Sequence, residues 1–129
     1  MRAAEINVRT GQVVDAAMKV HTILGPGLLE SAYEGCLAHE LRKRGLSVQR
    51  QVPHSVDYDG ERIDIGYRLD LVVDDVIIVE LKAVTKMMAL YEAQLLSYLK
   101  SSKYPVGLLI NFHAPRLKDG IKRLVSLPL

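Results

Sequence analysis

Residues 69–82 have the sequence LDLVVDDVIIVELK, in which two apolar runs are joined by an acidic turn at Asp74-Asp75. Apolar runs of this length on either side of a turn predict a β-hairpin. The second run, from Val76 to Val79, predicts a strand that is buried on both faces. This strand continues into Glu80 and Lys82, which share a face because side chains alternate along a strand with a period of two.

The charged end of this hairpin is the first candidate site. Burying a charge costs free energy unless the charge is paired, hydrogen-bonded or bound to a metal. Asp70, on the first strand, supplies a second carboxylate within reach of Glu80. Two carboxylates beside Lys82 make an oxygen-rich site that suits Mg²⁺ or Mn²⁺. A solvated strand end with a Glu80–Lys82 ion pair explains this stretch alone equally well.

The register of the hairpin decides between these interpretations, because directly opposed residues in antiparallel strands point to the same face. A two-residue turn would pair Asp70 with Val79 and would put the two carboxylates on opposite faces of the sheet. A three-residue loop, or a single-residue β-bulge, brings Asp70 directly across from Glu80. We therefore predict an odd-length loop or a bulge, with Asp70, Glu80 and Lys82 converging near Glu30.

Length and composition are those of one ordinary globular domain, residues 1–129. The chain is 49% hydrophobic and 25% charged, and its length allows a sizeable core. The N-terminus lacks an apolar signal-peptide core and no apolar run approaches the roughly 18 residues of a membrane span, so we expect a cytoplasmic protein. A net charge of +2 does not by itself indicate nucleic-acid binding. Basic clusters such as Arg42-Lys43-Arg44 could contact phosphates or be solvated helix ends.

Cysteine and histidine give little support to a metal site. Cys36 is the only cysteine, which excludes an internal disulfide and a cysteine-based zinc site. Its apolar neighbours on a helix predict a buried structural thiol. The histidines, which show no ligand spacing, are His21, His39, His54 and His113.

Hydrophobic periodicity predicts the element order α-α-β-β-β-α-β-β. The predicted elements cover residues 12–24, 28–44, 46–58, 63–73, 76–83, 86–101, 106–112 and 122–127. Residues 46–58 are expected to form one or two strands, with an interruption at Pro53. Gly25-Pro26-Gly27 separates the first two helices, and Gly45 follows the second as its C′ residue. Asp59-Gly60 forms a turn between the first strands. The order implies an α/β fold with a mixed central sheet flanked by helices, because a helical crossover joins parallel strands.

Several motifs in chain order resemble the PD-(D/E)xK nuclease superfamily. The hairpin supplies Asp70 followed by Glu80-x-Lys82, although Leu69 stands in place of the proline of the name. That proline bears no chemistry. Residues Gly27–Tyr33 are similar to the G-x-x-E-x-x-Y signature of the GxxExxY proteins, a family of small prokaryotic proteins placed within this superfamily.

A further motif lies on the third predicted helix. Gln94 and Tyr98 are one turn apart and resemble the Q-x-x-x-Y motif of RecB-like nucleases. An amphipathic helix with a polar rim is the alternative for these two residues, and a favourable helix-dipole interaction is the alternative for Glu30. Together the motifs occur in the order that the superfamily uses, over roughly residues 12–112.

The resemblance implies a restriction-endonuclease-like core and metal-dependent hydrolysis of phosphodiester bonds in nucleic acid, with DNA as the expected substrate. It implies that Asp70 and Glu80, with the Leu81 carbonyl oxygen, hold Mg²⁺ or Mn²⁺ and that this ion polarises the phosphate. It also implies that Glu30 holds a second ion or a water molecule of the metal.

The remaining roles follow from the same resemblance. Lys82 would orient the attacking water or stabilise developing charge, and Gln94 and Tyr98 would support Lys82 and the substrate strand. The alternative function is a non-catalytic domain that keeps this fold to bind nucleic acid or a protein partner. The small size of the domain favours considering this alternative, and a homodimer could supply the missing contact surface.

Overall fold

A mixed sheet of five strands is the centre of the fold, which a computed structural model describes for residues 1–126 apart from the side chain of Ile65. The helices are α1 (Ala3–Leu24), α2 (Glu30–Lys43) and α3 (Ala89–Lys100), and the strands are β1 (Val48–Tyr58), β2 (Glu61–Val73), β3 (Ile77–Lys82), β4 (Val106–Asn111) and β5 (Ile121–Val125). A 3₁₀ turn, Leu117–Gly120, precedes β5. The predicted element order is confirmed, and residue 127 of the last predicted strand lies outside the described residues.

The strands lie in the sheet in chain order, from β1 to β5. β1, β2 and β3 form an antiparallel meander, and β5 is antiparallel to β4. β3 and β4 are parallel neighbours joined through α3, because parallel strands need a crossover connection. The turn between β1 and β2 is Asp59-Gly60, with φ angles of 52° and 84°, which suits a two-residue hairpin turn. The predicted mixed α/β sheet is confirmed.

Helices cover both faces of the sheet, giving three layers. α1 and α2 pack on one face, which includes Ile110, and we call this the α1–α2 face. α3 packs on the other face, which includes Leu109, and we call this the α3 face. Leu95 of α3 lies so close to β4 that a Cβ added to Gly107 would come within 2.8 Å of it. None of the described helices is long and apolar enough to cross a membrane.

The central parallel strands are buried on both faces, as their apolar runs predict. Ile78 of β3 packs on the α3 face. Because residues two apart on a strand share a face, Glu80 and Lys82 follow Ile78 on that same face. The strand therefore carries a carboxyl group and an ammonium group to the edge of the α3 layer.

The first two helices differ from the prediction in extent and in buried face. α1 begins at Ala3 rather than at residue 12, because Ile6 continues its buried stripe toward the N-terminus. Cys36 is exposed, so the prediction of a buried thiol is wrong. The buried stripe of α2 contains Tyr33 and Leu37, and Cys36 lies beside that stripe, on the surface.

Two glutamates share the buried side of α2 with these apolar residues, which an apolar pattern cannot anticipate. Glu40 receives hydrogen bonds or ion pairs from Arg44 and Lys19, each at 3.0 Å. Glu34 is paired with Arg50 at 3.0 Å. Such pairing is what allows a carboxylate to lie at a largely buried position.

The alternation of apolar and polar residues from Ile63 to Val73 predicts a half-exposed strand with its apolar residues on one face, and this prediction is wrong at Asp70. Leu69 packs on the α3 face whereas Leu71 packs on the α1–α2 face. Residues two apart on a regular strand share a face, so the strand changes phase at Asp70. Gln51, on the neighbouring strand, has a φ of 52° at the same level. For Ile65, which was predicted on the same face, the side chain lies outside the described structure.

Tyr33 anchors the loop between α1 and α2 to the core. Its ring stacks on Phe112 with centroids 4.6 Å apart. Its hydroxyl donates to the Gly25 carbonyl oxygen at 2.6 Å and accepts from the Leu28 amide at 3.1 Å. The tyrosine thus fixes the loop that leads into Glu30, the first residue of α2.

Replacing Tyr33 by phenylalanine should destabilise the protein without changing its fold. The variant Tyr33→Phe keeps the stacked ring but leaves the loop without its two hydrogen bonds, so we expect the free energy of unfolding to fall by about 1 kcal/mol or more. Urea unfolding measures the change. Tyr58→Phe is the matched control, because Tyr58 is 71% exposed; equal midpoints for both variants would contradict the anchoring role of Tyr33.

Candidate active site

The hairpin between β2 and β3 has a three-residue loop. Val73 pairs with Ile77, which leaves Asp74, Asp75 and Val76 between the strands. The prediction of an odd-length loop is therefore confirmed. Continuing the same register along the two strands places residue 70 directly across from residue 80.

The acidic loop is held in place by its own side chains. Asp74 and Asp75 have φ angles of 49° and 57°, a left-handed conformation that aspartate tolerates better than most residues. The Asp74 carboxylate accepts from Arg9 Nε and from the Ser47 backbone amide, each at 2.7 Å. Asp74 therefore has a structural role, and the pairing that it fixes determines where Asp70 lies.

Strands β2 and β3 separate directly beyond this hairpin, and we call the point of separation, at Asp70 and Glu80, the fork. The paired ladder of β2 and β3 ends at Leu71 and Val79, after which β2 continues beside β1 and β3 continues beside β4. At the fork, the Asp70 amide donates to Glu80 Oε1 at 3.3 Å. The Leu81 amide donates to Asp70 Oδ2 at 2.9 Å. At this level, hydrogen bonds from backbone amides to two carboxyl side chains replace the backbone-to-backbone hydrogen bonds between β2 and β3.

Glu80 is the most strongly perturbed titratable group at the fork. It is 6% exposed. Burial raises its pKa to about 9, and the negative charge of Asp70 and a hydrogen bond between the two carboxyl groups add to this effect, while Lys82 opposes it. In the absence of a cation, Glu80 therefore keeps its proton at neutral pH.

Lys82 does not neutralise this pair directly. Its Nζ lies 4.6 Å from the centroid of the Tyr91 ring, in a cation–π contact. Within residues 1–126, Lys82 forms no ion pair with a carboxylate. The alternative of a simple Glu80–Lys82 ion pair is therefore not what the structure shows.

Glu30 approaches the fork from the start of α2. Burial raises its pKa, the charges of Asp70 and Glu34 add to the rise, and Lys82 opposes it. These electrostatic effects place Glu30 in the neighbourhood of both Asp70 and Lys82. Gly27, just before the helix, has a φ of 105°, which glycine adopts at little cost.

The oxygen atoms that the structure describes at the fork are of the type that binds a hard divalent cation, but they do not form a complete coordination site. Among the described residues, no three side chains of His, Cys, Asp or Glu lie close enough together to hold a metal ion. Asp70 and Glu80 lie side by side. Because the N–H and C=O groups of a strand residue point to the same side, the Leu81 carbonyl faces the edge on which its amide meets Asp70. These oxygens, with Glu30 farther out, are the ligand types that Mg²⁺ and Mn²⁺ prefer.

Gln51 and Glu34 are site neighbours that the sequence did not reveal. The Gln51 amide nitrogen donates to Glu34 Oε1 at 2.6 Å and to Asp70 Oδ1 at 3.5 Å. Glu34 is 7% exposed. Its position one turn after Glu30 was the one available signal, whereas the left-handed backbone of Gln51 leaves no mark in the sequence.

The two residues of the third-helix motif lie beside this site. Gln94 and Tyr98 line a cavity of about 480 Å³ together with Lys82, Tyr91 and Tyr67. Burial raises the pKa of Tyr98, and the charge of Glu80 adds to that rise. The structure therefore brings both motif residues into the neighbourhood of the fork.

The basic cluster at residues 42–44 makes mainly intramolecular contacts. Arg44 pairs with Asp15 at 2.6 Å as well as with Glu40. Arg42 donates to the Val48 carbonyl oxygen at 2.9 Å. These arginines hold α2 against its neighbours, so the cluster at residues 42–44 is mainly structural.

A comparison with family models agrees with the geometry of the fork. The model described as the PD-(D/E)XK nuclease superfamily matches residues 7–124. The chain belongs to the PD-(D/E)XK nuclease superfamily. No curated protein and no solved structure matched the chain. For this PD-(D/E)XK domain the superfamily supports a nuclease-type function that acts on nucleic acid, while the roles of the individual residues stay predictions.

The raised pKa of Glu80 makes the stability of the metal-free domain depend on pH. A group whose pKa is raised on folding stabilises the protein fully below its unfolded pKa, and this contribution is lost as the pH rises through the folded pKa. For Glu80 that window runs from 4.5 to about 9. In EDTA, the melting temperature of the wild type should therefore fall more steeply across this window than that of Glu80→Gln.

The exposed Glu61 provides the control for this measurement. Glu61→Gln removes one carboxyl group from the tip of the β1–β2 hairpin and should keep the pH profile of the wild type. Parallel profiles for Glu80→Gln and the wild type, measured by circular dichroism, would show that Glu80 is ionised in the folded protein.

Proposed function

We propose that this domain is a nuclease that depends on a divalent metal, Mg²⁺ or Mn²⁺, and that hydrolyses phosphodiester bonds in DNA. The observation that carries the proposal is the opposition of Asp70 and Glu80 at the fork of the sheet, with Lys82 on the same strand face as Glu80. We also assign the chain to the GxxExxY proteins, on the motif of Gly27, Glu30 and Tyr33. Formation of a homodimer stays a prediction.

The electrostatics of the fork support a cation site. Two adjacent carboxyl groups repel when both are ionised, and burial of Glu80 increases that cost. A divalent cation held by Asp70, Glu80 and the Leu81 carbonyl would remove the repulsion, with Glu30 holding its outer side. When bound, it would supply charge to polarise the phosphate and to favour deprotonation of a water molecule.

The other groups of the site have roles that follow from their positions. The positive charge of Lys82 acts on both Glu30 and Glu80, and the absence of a carboxylate partner among the described residues leaves its ammonium group available to a phosphate oxygen. Tyr91 holds the Lys82 side chain through its ring. Gln94 and Tyr98 border the same cavity, where they would contact the substrate strand.

Cleavage assays separate this proposal from the alternative of a non-catalytic binding domain. The wild type should nick a supercoiled plasmid or degrade oligonucleotides with Mg²⁺ or Mn²⁺ and not with EDTA. Lys82→Ala should lower the rate by roughly a hundredfold or more, as expected for loss of a group that stabilises developing charge. Asp70→Ala should abolish detectable cleavage.

Lys86→Ala is the control for the loss of a positive charge, because Lys86 is exposed and lies beyond the end of β3. Its rate should stay close to that of the wild type. Full activity of a folded Lys82→Ala variant would remove this lysine from the chemistry. No metal-dependent cleavage of any DNA by the wild type would favour the binding domain.

Metal binding should be visible in the stability of the protein before any cleavage is measured. A ligand that binds only the folded state stabilises it, so millimolar Mn²⁺ should raise the melting temperature by several degrees above its value in EDTA. Glu80→Gln should lose most of this rise, whereas the exposed control Glu61→Gln should keep it. Identical melting curves of the wild type with Mn²⁺ and with EDTA would count against a metal at the fork.

A further inference from the structure

A cavity of about 480 Å³ lies beside the fork, and its walls have an unusual share of aromatic side chains. Tyr67 comes from β2, Tyr91 and Tyr98 come from α3, and Lys82 comes from β3. Gln94 and Ser97 add uncharged polar groups to the wall. The cavity therefore adjoins the carboxylates through Lys82, which belongs both to the fork and to the cavity.

The tyrosines of this wall differ in burial, because Tyr98 is only 7% exposed and belongs to the apolar core on the α3 face, and Tyr91 packs against that core. Tyr67 is 44% exposed although it is in edge contact with Tyr98, with ring centroids 6.0 Å apart. Within the described residues, the hydroxyls of Tyr67, Tyr91 and Tyr98 make no hydrogen bond to another residue, in contrast to that of Tyr33. The exposed ring of Tyr67, the Lys82 ammonium group and the Gln94 amide thus border a space large enough for a planar ligand.

We propose that this cavity binds one unpaired nucleobase of the substrate, so that the domain acts on single-stranded nucleic acid or on unpaired nucleotides. The inference rests on the proposed function and narrows its substrate. A nucleobase offers the π-face that tyrosine rings stack on and the polar edge that hydroxyl and amide groups recognise. The phosphate attached to it would lie toward Lys82 and the carboxylates.

The surface next to the cavity has room for the rest of a strand. Tyr67 also borders a second cavity, of about 250 Å³, which contains Arg68 and His54. The His54 ring is in edge contact with Tyr98, with centroids 5.3 Å apart. Aromatic rings interleaved with positive charge are the pattern that tracks single strands. The bases of an intact duplex are stacked inside the helix and cannot enter such a cavity.

Binding of a labelled oligonucleotide tests the inference without any cleavage. In EDTA, fluorescence anisotropy compares a short fluorescein-labelled oligothymidylate with the same strand annealed to oligoadenylate. The wild type should bind the single strand at least about tenfold more tightly than the blunt duplex. Tyr67→Ala should weaken single-strand binding by at least about fivefold, the effect expected from loss of one stacked base.

Two further variants separate stacking from other causes. Tyr67→Phe keeps the ring and should bind within about twofold of the wild type, whereas Tyr58→Ala removes an exposed tyrosine from the tip of the same hairpin and should have no effect. The slope of log affinity against log salt should be unchanged in Tyr67→Ala and smaller in Lys82→Ala, because only the lysine contacts phosphate. Melting curves verify that Tyr67→Ala is folded.

The outcomes distinguish this inference from the proposed hydrolysis. Equal binding of strand and duplex, no detectable binding by the wild type, or equal affinities of Tyr67→Ala and Tyr58→Ala would each overturn the nucleobase site, whatever the cleavage assays show. Ring-dependent binding of single strands without metal-dependent cleavage would uphold the nucleobase site and would remove the hydrolysis. Metal-dependent cleavage at the same rate in the wild type and in Tyr67→Ala would uphold the hydrolysis and would remove the nucleobase site.

Discussion

Two carboxyl groups next to each other at a buried fork are the constraint on which the geometry of this domain depends. Asp70 lies across from Glu80 because the β2–β3 loop contains three residues. That loop in turn depends on Asp74 and Asp75, which accept left-handed backbone angles. A change of one residue in the loop would shift the pairing of β2 and β3 by one residue, so that Asp70 would no longer lie across from Glu80.

The rest of the fold offsets the free energy that this arrangement costs. Burial raises the pKa of Glu80 to about 9. Without a cation, ionising this carboxyl group in the folded protein therefore costs free energy. The buried strands β3 and β4 and the apolar layers on both faces stabilise the domain around it. Departures from favourable local structure that are tolerated in this way are concentrated at functional sites.

Sequence reasoning could predict the features that depend on local pattern and on chemistry. The element order follows from periodicity, and the odd loop length follows from requiring Asp70 and Glu80 to meet. It could not predict the features that depend on distant contacts. Cys36 is exposed because the buried stripe of α2 is centred on other residues, and Gln51 reaches Asp70 only through a left-handed backbone in β1.

Contacts from the start of α2 to the fork suggest separate roles for the residues of the motif Gly27, Glu30 and Tyr33. Tyr33 anchors the loop before Glu30 through its hydroxyl, so its part in the motif is structural. One residue further along the helix, Glu34 accepts from Gln51, which also reaches Asp70. The helix therefore has two connections to the fork: the Glu30 carboxyl, whose pKa responds to the charges of Asp70 and Lys82, and the hydrogen bonds through Gln51 that reach Asp70. Because both begin from the same anchored helix start, a shift of that loop would move Glu30 and disturb Asp70 together.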